Sequence, residues 1–239
     1  LVERLNGIQE VRGSTPLVST KRDVYAHLKG KRIRLFSFRR KYMKNTENTT
    51  MPTRREAENI LKEAEICNPG PWGDHSRNVA MCAEKIAVAC GMDGEKAYIL
   101  GLLHDIGRKF GTRHLGHVYD GYTYMLGLGY PQVAKICLTH SFSDHNIKTY
   151  IGRFDILPSE QEELEQALAL AEYDDYDKLI QLCDALGAAE GVVDIEERMR
   201  DVKKRYGSYP KEKRDKNLEL KKYFENLARR DIYEIVGKQ

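Results

Sequence analysis

No stretch of this 239-residue chain approaches the ~18 consecutive apolar residues that a membrane-spanning helix needs, so no span is expected. Cysteine is scarce as well. The five present (Cys67, Cys82, Cys90, Cys137 and Cys183) are odd in number and none are spaced as Cys-x-x-Cys, which argues against a disulfide framework and a cysteine zinc site. Four of them lie in apolar helical stretches, where reduced thiols act as small hydrophobes, and a cytoplasmic location is the expectation. Residues 1–10 lack the apolar run of a secretory signal, being interrupted by Glu3 and Arg4. Strand signals are few. Alternation of apolar and polar residues gives only a weak candidate at residues 32–38.

What is present suits a globular fold, with 41% hydrophobic and 31% charged residues. The net charge of +3 is unevenly spread. Residues 1–50 contain 12 Lys+Arg against 4 Asp+Glu, a balance of +8, which leaves −5 for the other 189 residues. This basic segment contains Gly7, Gly13, Ser14, Pro16 and Gly30, shows no sustained period, and is followed by Met51-Pro52-Thr53, which reads like a protein start. The expectation is a basic N-terminal arm, poorly structured or outside the fold. Its charge raises a nucleic-acid role only as an alternative.

From Thr53 onward the pattern is helical. Thr53-Arg54-Arg55-Glu56 reads as a capping box opening a helix to about Cys67, and Asn68-Pro69-Gly70-Pro71 breaks it. Further helices are expected at about 74–90, 94–106, 112–126 and 131–140, then, after a less regular stretch at 141–157, from a second capping box at Ser159-Glu160-Gln161-Glu162. Others are expected at 174–189, 193–206 and 210–230. The fold class is all-α.

Six of the seven histidines fall within residues 75–145, and their positions on the helices matter more than the clustering. His75, Val79, Cys82, Ile86 and Cys90 form one stripe. So do Ala97, Leu100 and His104, and likewise Val133, Ile136, Cys137 and His140. Three histidines thus point inward from three helices, and a buried imidazole needs a hydrogen-bond partner or a metal. Asp105 follows His104 between Leu102-Leu103 and Ile106, and Asp184 is the only charge in residues 179–189. An unpaired carboxylate there would cost several kcal/mol. A helix N-terminus or an arginine could satisfy Asp184, and Asp105 could cap a turn. Imidazole with carboxylate suits Mn, Fe or Zn better than Mg or Ca.

The order His75, His104-Asp105, Asp184 resembles the HD-domain metal-dependent phosphohydrolases of the His-Asp-Ile-Gly type. The contexts match too: Trp72-Gly73-Asp74-His75-Ser76, then Gly101-Leu102-Leu103-His104-Asp105-Ile106-Gly107-Arg108, then the residues around Asp184, with the likeness covering about 53–206. The resemblance implies a helical bundle with a central metal site, an HD domain over 51–206 and a charged C-terminal helix over 207–239. It implies ligands at His75, His104, Asp105 and Asp184 for one divalent transition-metal ion, with His104 and Asp105 central to catalysis. His117 and His140 fall where two-metal members place further histidines, with Asp105 between the ions. Arg108 stands where many members have lysine; with Lys109 and Arg113 it is expected to contact the phosphate. The implied chemistry is attack of a metal-activated water on a small phosphorylated molecule of the nucleotide class. A di-iron oxygenase of the same fold and a non-catalytic nucleotide-binding module are the alternatives. Oligomeric state is left open.

Overall fold

The computed structural model describes residues 51–238; the basic arm and the strand candidate at 32–38 lie outside them. Ten α-helices dominate the described residues, in agreement with an all-α fold. Helix α1 (Arg54–Cys67) opens with the anticipated capping box: the Thr53 hydroxyl accepts from the Glu56 amide while the Glu56 carboxylate accepts from the Thr53 amide at 2.8 Å. Helices α2 (Trp72–Ala89) and α3 (Gly94–Leu103) follow. Beyond its polar first turn helix α3 is hydrophobic, with Ala97, Ile99, Leu100, Leu102 and Leu103 buried, so this part occupies the middle of the bundle. Gly101 makes this packing close: a Cβ there would lie 2.9 Å from the Ala80 Cα of α2.

Beyond α3 come a 3-10 turn (Ile106–Phe110), α4 (Leu115–Gly127), α5 (Pro131–Thr139), a second 3-10 turn (Ile147–Thr149) and α6 (Pro158–Ala169). Helix α6 starts earlier than the Ser159 capping box implies. Pro158, with its fixed φ, takes the first turn, and the Glu160 carboxylate accepts from the Leu157 amide at 2.9 Å. Helix α7 (Asp175–Leu186) is capped by Asp174 and stops three residues short of the expected end. Gly187–Ala188 and Gly191–Val192 instead form a two-residue antiparallel hairpin, β1 and β2. Helices α8 (Ile195–Tyr206), α9 (Lys211–Ala228) and α10 (Ile232–Val236) complete the chain.

One large core joins α1, α2, α3 and α7 to the C-terminal helices through Ile195, Met199, Leu220, Phe224, Ile232 and Val236. A smaller cluster of Leu115, Val118, Leu138, Phe142, Leu164 and Leu168 ties α4 and α5 to α6. Helices α5 and α7 are also locked by a polar contact. The fully buried Asp177 carboxylate accepts from the Thr139 hydroxyl and the Lys135 ammonium, both at 2.6 Å. This satisfies a carboxylate that would otherwise be costly to bury and fixes α5, next to His140, against α7, which carries Asp184.

Candidate metal centre

The His-Asp doublet sits where a helix ends. Helix α3 stops at Leu103, His104 keeps helical dihedrals, and Asp105 turns to φ −102°, ψ 15° before the 3-10 turn begins. The sequence pattern extends the helix to Ile106. The break at the doublet turns Asp105 away from the axis along which His104 points. Gly107 then brings the 3-10 turn against the backbone of α4, so close that a Cβ would lie 1.9 Å from the His117 carbonyl oxygen. That contact sets His117 beside the doublet.

Two triads result. His75, His104 and Asp184 form one; Asp105, His117 and His140 form the other. In the first, the Nε2 atoms of His75 and His104 are 3.3 Å apart, and Asp184 Oδ1 lies 3.1 Å from His75 Nε2 and 3.8 Å from His104 Nε2. In the second, the Nε2 atoms of His117 and His140 are 3.3 Å apart, and Asp105 Oδ1 lies 3.1 Å and 3.6 Å from them. All but Asp184 are buried, and Asp184, one-third exposed, faces a cavity.

The tautomers decide what these groups can bind. His75 Nδ1–H donates to the Gly187 carbonyl at 3.1 Å, His104 to Gly101 at 2.7 Å, His140 to Cys137 at 2.9 Å, and His117 to His114. Each ring therefore turns an Nε2 lone pair inward when neutral. Two lone pairs and a carboxylate oxygen facing one another repel unless a cation or added protons lie between them. The observed spacings match the ~3.4 Å edge of a tetrahedron of donors 2.0–2.1 Å from an ion. The backbone carbonyls are the partners that fix ring orientation in metal-binding histidines. Each triad could hold one divalent ion.

Electrostatics agree. Burial alone would raise the carboxyl of Asp105, but Arg108, His117 and His104 outweigh it and hold it well below the usual carboxylate range. Asp184 is likewise held low against burial by His104 and His75. Burial, helped by the neighbouring His104, pushes His140 down to about 3, so it stays neutral. For His104 burial works downward, yet Asp105 and Asp184 together raise it above the ordinary value.

Asp105, expected between two ions, places Oδ1 in the second triad, while its Oδ2 accepts from Arg108 Nε. Both triads open on a cavity of about 800 Å³, lined in part by Trp72, Arg108, Tyr150, Tyr209 and Lys213. Two residues expected to contact the phosphate have protein partners instead. Lys109 donates to the Tyr124 hydroxyl at 3.0 Å, and Arg113 binds Asp120 at 2.6 Å and the Asp155 carbonyl at 2.9 Å; neither lines the cavity. Charge is visible in sequence, but direction across the turn at Gly111 (φ 121°) is not. His114 and His145 also stay outside the cavity, His145 lying against Tyr173.

The sequence reading missed the far wall, where α8 and α9 contribute Arg198, Arg205, Lys213 and Asn217. A signal existed. Lys213, Asn217, Leu220 and Phe224 are spaced by four, three and four, so the lysine extends the apolar stripe of an otherwise charged helix.

Residues 72–189 match the family model of the HD domain. The span starts at the helix that carries His75 and ends just past the Gly187 carbonyl that orients it, so it takes in all six residues of the two triads. No curated protein and no solved structure matches the chain. Over residues 72–189 the chain belongs to the HD-domain family, a family of the metal-dependent hydrolase type.

Proposed function

We propose that this chain is a two-metal phosphohydrolase acting on a small phosphorylated molecule of the nucleotide class. The observation that carries the reading is the pair of His-His-Asp triads whose inward lone pairs share one cavity. His75, His104 and Asp184 would hold one ion and Asp105, His117 and His140 the other. Divalent ions there supply Lewis acidity and lower the pKa of coordinated water.

The chain's own groups do the rest. Arg108, anchored through Nε on Asp105, has no acceptor for its terminal nitrogens among the described residues, which leaves them to the phosphoryl oxygens. Trp72, 8% exposed and held by its Nε1–H on the Asn68 carbonyl at 2.8 Å, gives the cavity a fixed aromatic edge. Tyr150 supplies a further ring beside His117, at 6.4 Å between centroids, and an aromatic lining of this kind supports a base-bearing substrate.

The reading fixes a pH dependence. Protons compete with an ion for Nε2, and His104 is raised above its ordinary value of about 6.5, so acidification protonates it before an unperturbed histidine. Metal affinity of the first triad is therefore expected to fall roughly tenfold per pH unit below the ordinary histidine value of about 6.5. Calorimetric titration with Mn in buffers of different ionisation heat should show proton uptake by the buffer. Binding that is flat from pH 5 to 8 contradicts it.

The functional test is phosphate release by manganese-loaded protein across phosphomonoester and phosphodiester substrates. Oxygen consumption by iron-loaded protein, with no phosphate released, replaces the hydrolase reading with the di-iron oxygenase.

A further inference from the structure

Among the described residues four cationic side chains line the cavity: Arg108, Arg198, Arg205 and Lys213. Arg108 is paired with Asp105, Arg205 with Asp201 at 2.8 Å, and Arg198 with Asp201 at 3.6 Å. Lys213 differs. Its ammonium donates to one neutral group, the Ser141 carbonyl at 2.9 Å, and no carboxylate among the described residues lies within ion-pair distance. An ammonium brings three N–H donors, so two remain for something in the cavity. Burial without a counter-ion pushes Lys213 below the ordinary lysine value, and Asp184 and Asp144 only partly offset this.

A second donor stands on the same segment. Asn217 Nδ2–H donates to the Tyr209 hydroxyl oxygen at 2.7 Å, which leaves that hydroxyl's own hydrogen to donate elsewhere. Tyr209 lines the cavity, and burial pushes it up to about 12, so the hydroxyl keeps its proton. Asn217, one turn beyond Lys213, is itself 6% exposed and holds the phenol in place. These three residues lie beyond residue 189, outside the HD match. An ammonium and a phenol that both donate, the ammonium with no carboxylate of the described residues within ion-pair distance, make a site for an oxyanion on the wall that Asp184 also faces.

We propose that Lys213 and Tyr209 form an anion subsite that binds a phosphoryl group of the substrate, so that the helices after the HD match set substrate choice. This rests on the phosphohydrolase reading for the name of the substrate but not for the binding of an oxyanion. Lys213 is a substrate-binding residue here and holds no metal.

The test uses the full, manganese-loaded chain and inorganic phosphate as the probe, measured by calorimetry, with metal content assayed on each sample. Lys213→Met keeps the buried stem and removes the charge. It is expected to weaken phosphate binding about tenfold or more with metal content unchanged. Lys213→Arg should stay within about threefold of wild type, and Tyr209→Phe, which keeps the ring, should weaken binding about threefold. A thermal melt on each variant identifies any that fail to fold, in which case the Tyr209→Phe result decides. Unchanged phosphate affinity in Lys213→Met and Tyr209→Phe overturns the inference, as does a wild-type protein that binds no phosphate. Weakened binding without ester hydrolysis by wild type sinks the phosphohydrolase reading and leaves the subsite standing.

Discussion

Replacing His104 by alanine is expected to lower phosphate release by a thousandfold or more, with the fold retained. Loss of a Lewis acid costs several kcal/mol of transition-state stabilisation, and about 4 kcal/mol corresponds to roughly three decades in rate. The fold should persist because the ring is not the only group near its place: it lies 5.2 Å from His75 and 5.1 Å from His140 between centroids, and its chain neighbours Leu100, Leu103 and Ile106 are buried. Asp105→Ala should have an equally large effect by a different route. It removes Oδ1 from the second triad and leaves Arg108 without its carboxylate, so the guanidinium loses its anchor as well. A double variant should be little worse than either single one, because the two ions act as a unit. Steady-state kinetics on purified variants of wild-type helicity decide it. Activity within tenfold of wild type for either single variant contradicts the ligand assignment.

Gly107→Ala is expected to be the most damaging small substitution in the fold. The added carbon would lie 1.9 Å from the His117 carbonyl oxygen and 2.5 Å from the Gly121 amide nitrogen, both backbone atoms in α4. Neither is the end of a flexible side chain, so the 3-10 turn and α4 must separate. Overpacking of this kind costs about 3 kcal/mol, which in a domain of this size lowers the melting temperature by roughly 10 °C. Separation would also draw His117 from His140 and Asp105, so the second triad should lose its ion before the protein unfolds. Gly127→Ala is the control. Among the described residues nothing lies within 4 Å of its added carbon, and the melting temperature should stay within about 2 °C. Equal effects from the two variants would contradict the account of the 3-10 turn.

Much of this was legible in the residues. The inward histidines were readable because helical periodicity fixes direction: His75, His104 and His140 continue apolar stripes and are buried. The capping box at Thr53 was readable because both hydrogen bonds are local. Where tertiary contacts decide, the pattern misled. Residues 185–189 run Ala-Leu-Gly-Ala-Ala, a good helical sequence, yet the chain leaves the helix at Gly187. A Cβ there would lie 2.7 Å from Val79 Cγ2, and the extended backbone carries the Gly187 carbonyl to His75. The grouping of the six candidate ligands into two triads was equally hidden, since it depends on the turn at Asp105 and on Gly107. Lys213 was overlooked for a third reason. In a helix as charged as Lys211–Ala228 one lysine draws no notice, unless its place on the stripe with Leu220 and Phe224 is weighed.

The six residues are expected to hold two ions, one per triad. The direct measurement is the metal content of the full chain, saturated with manganese and freed of loosely bound ion, for wild type, His104→Ala and Asp105→Ala. Two ions per chain in wild type and one in each variant is the predicted result. A wild type with no tightly bound metal, or variants that keep the wild-type content, would contradict it.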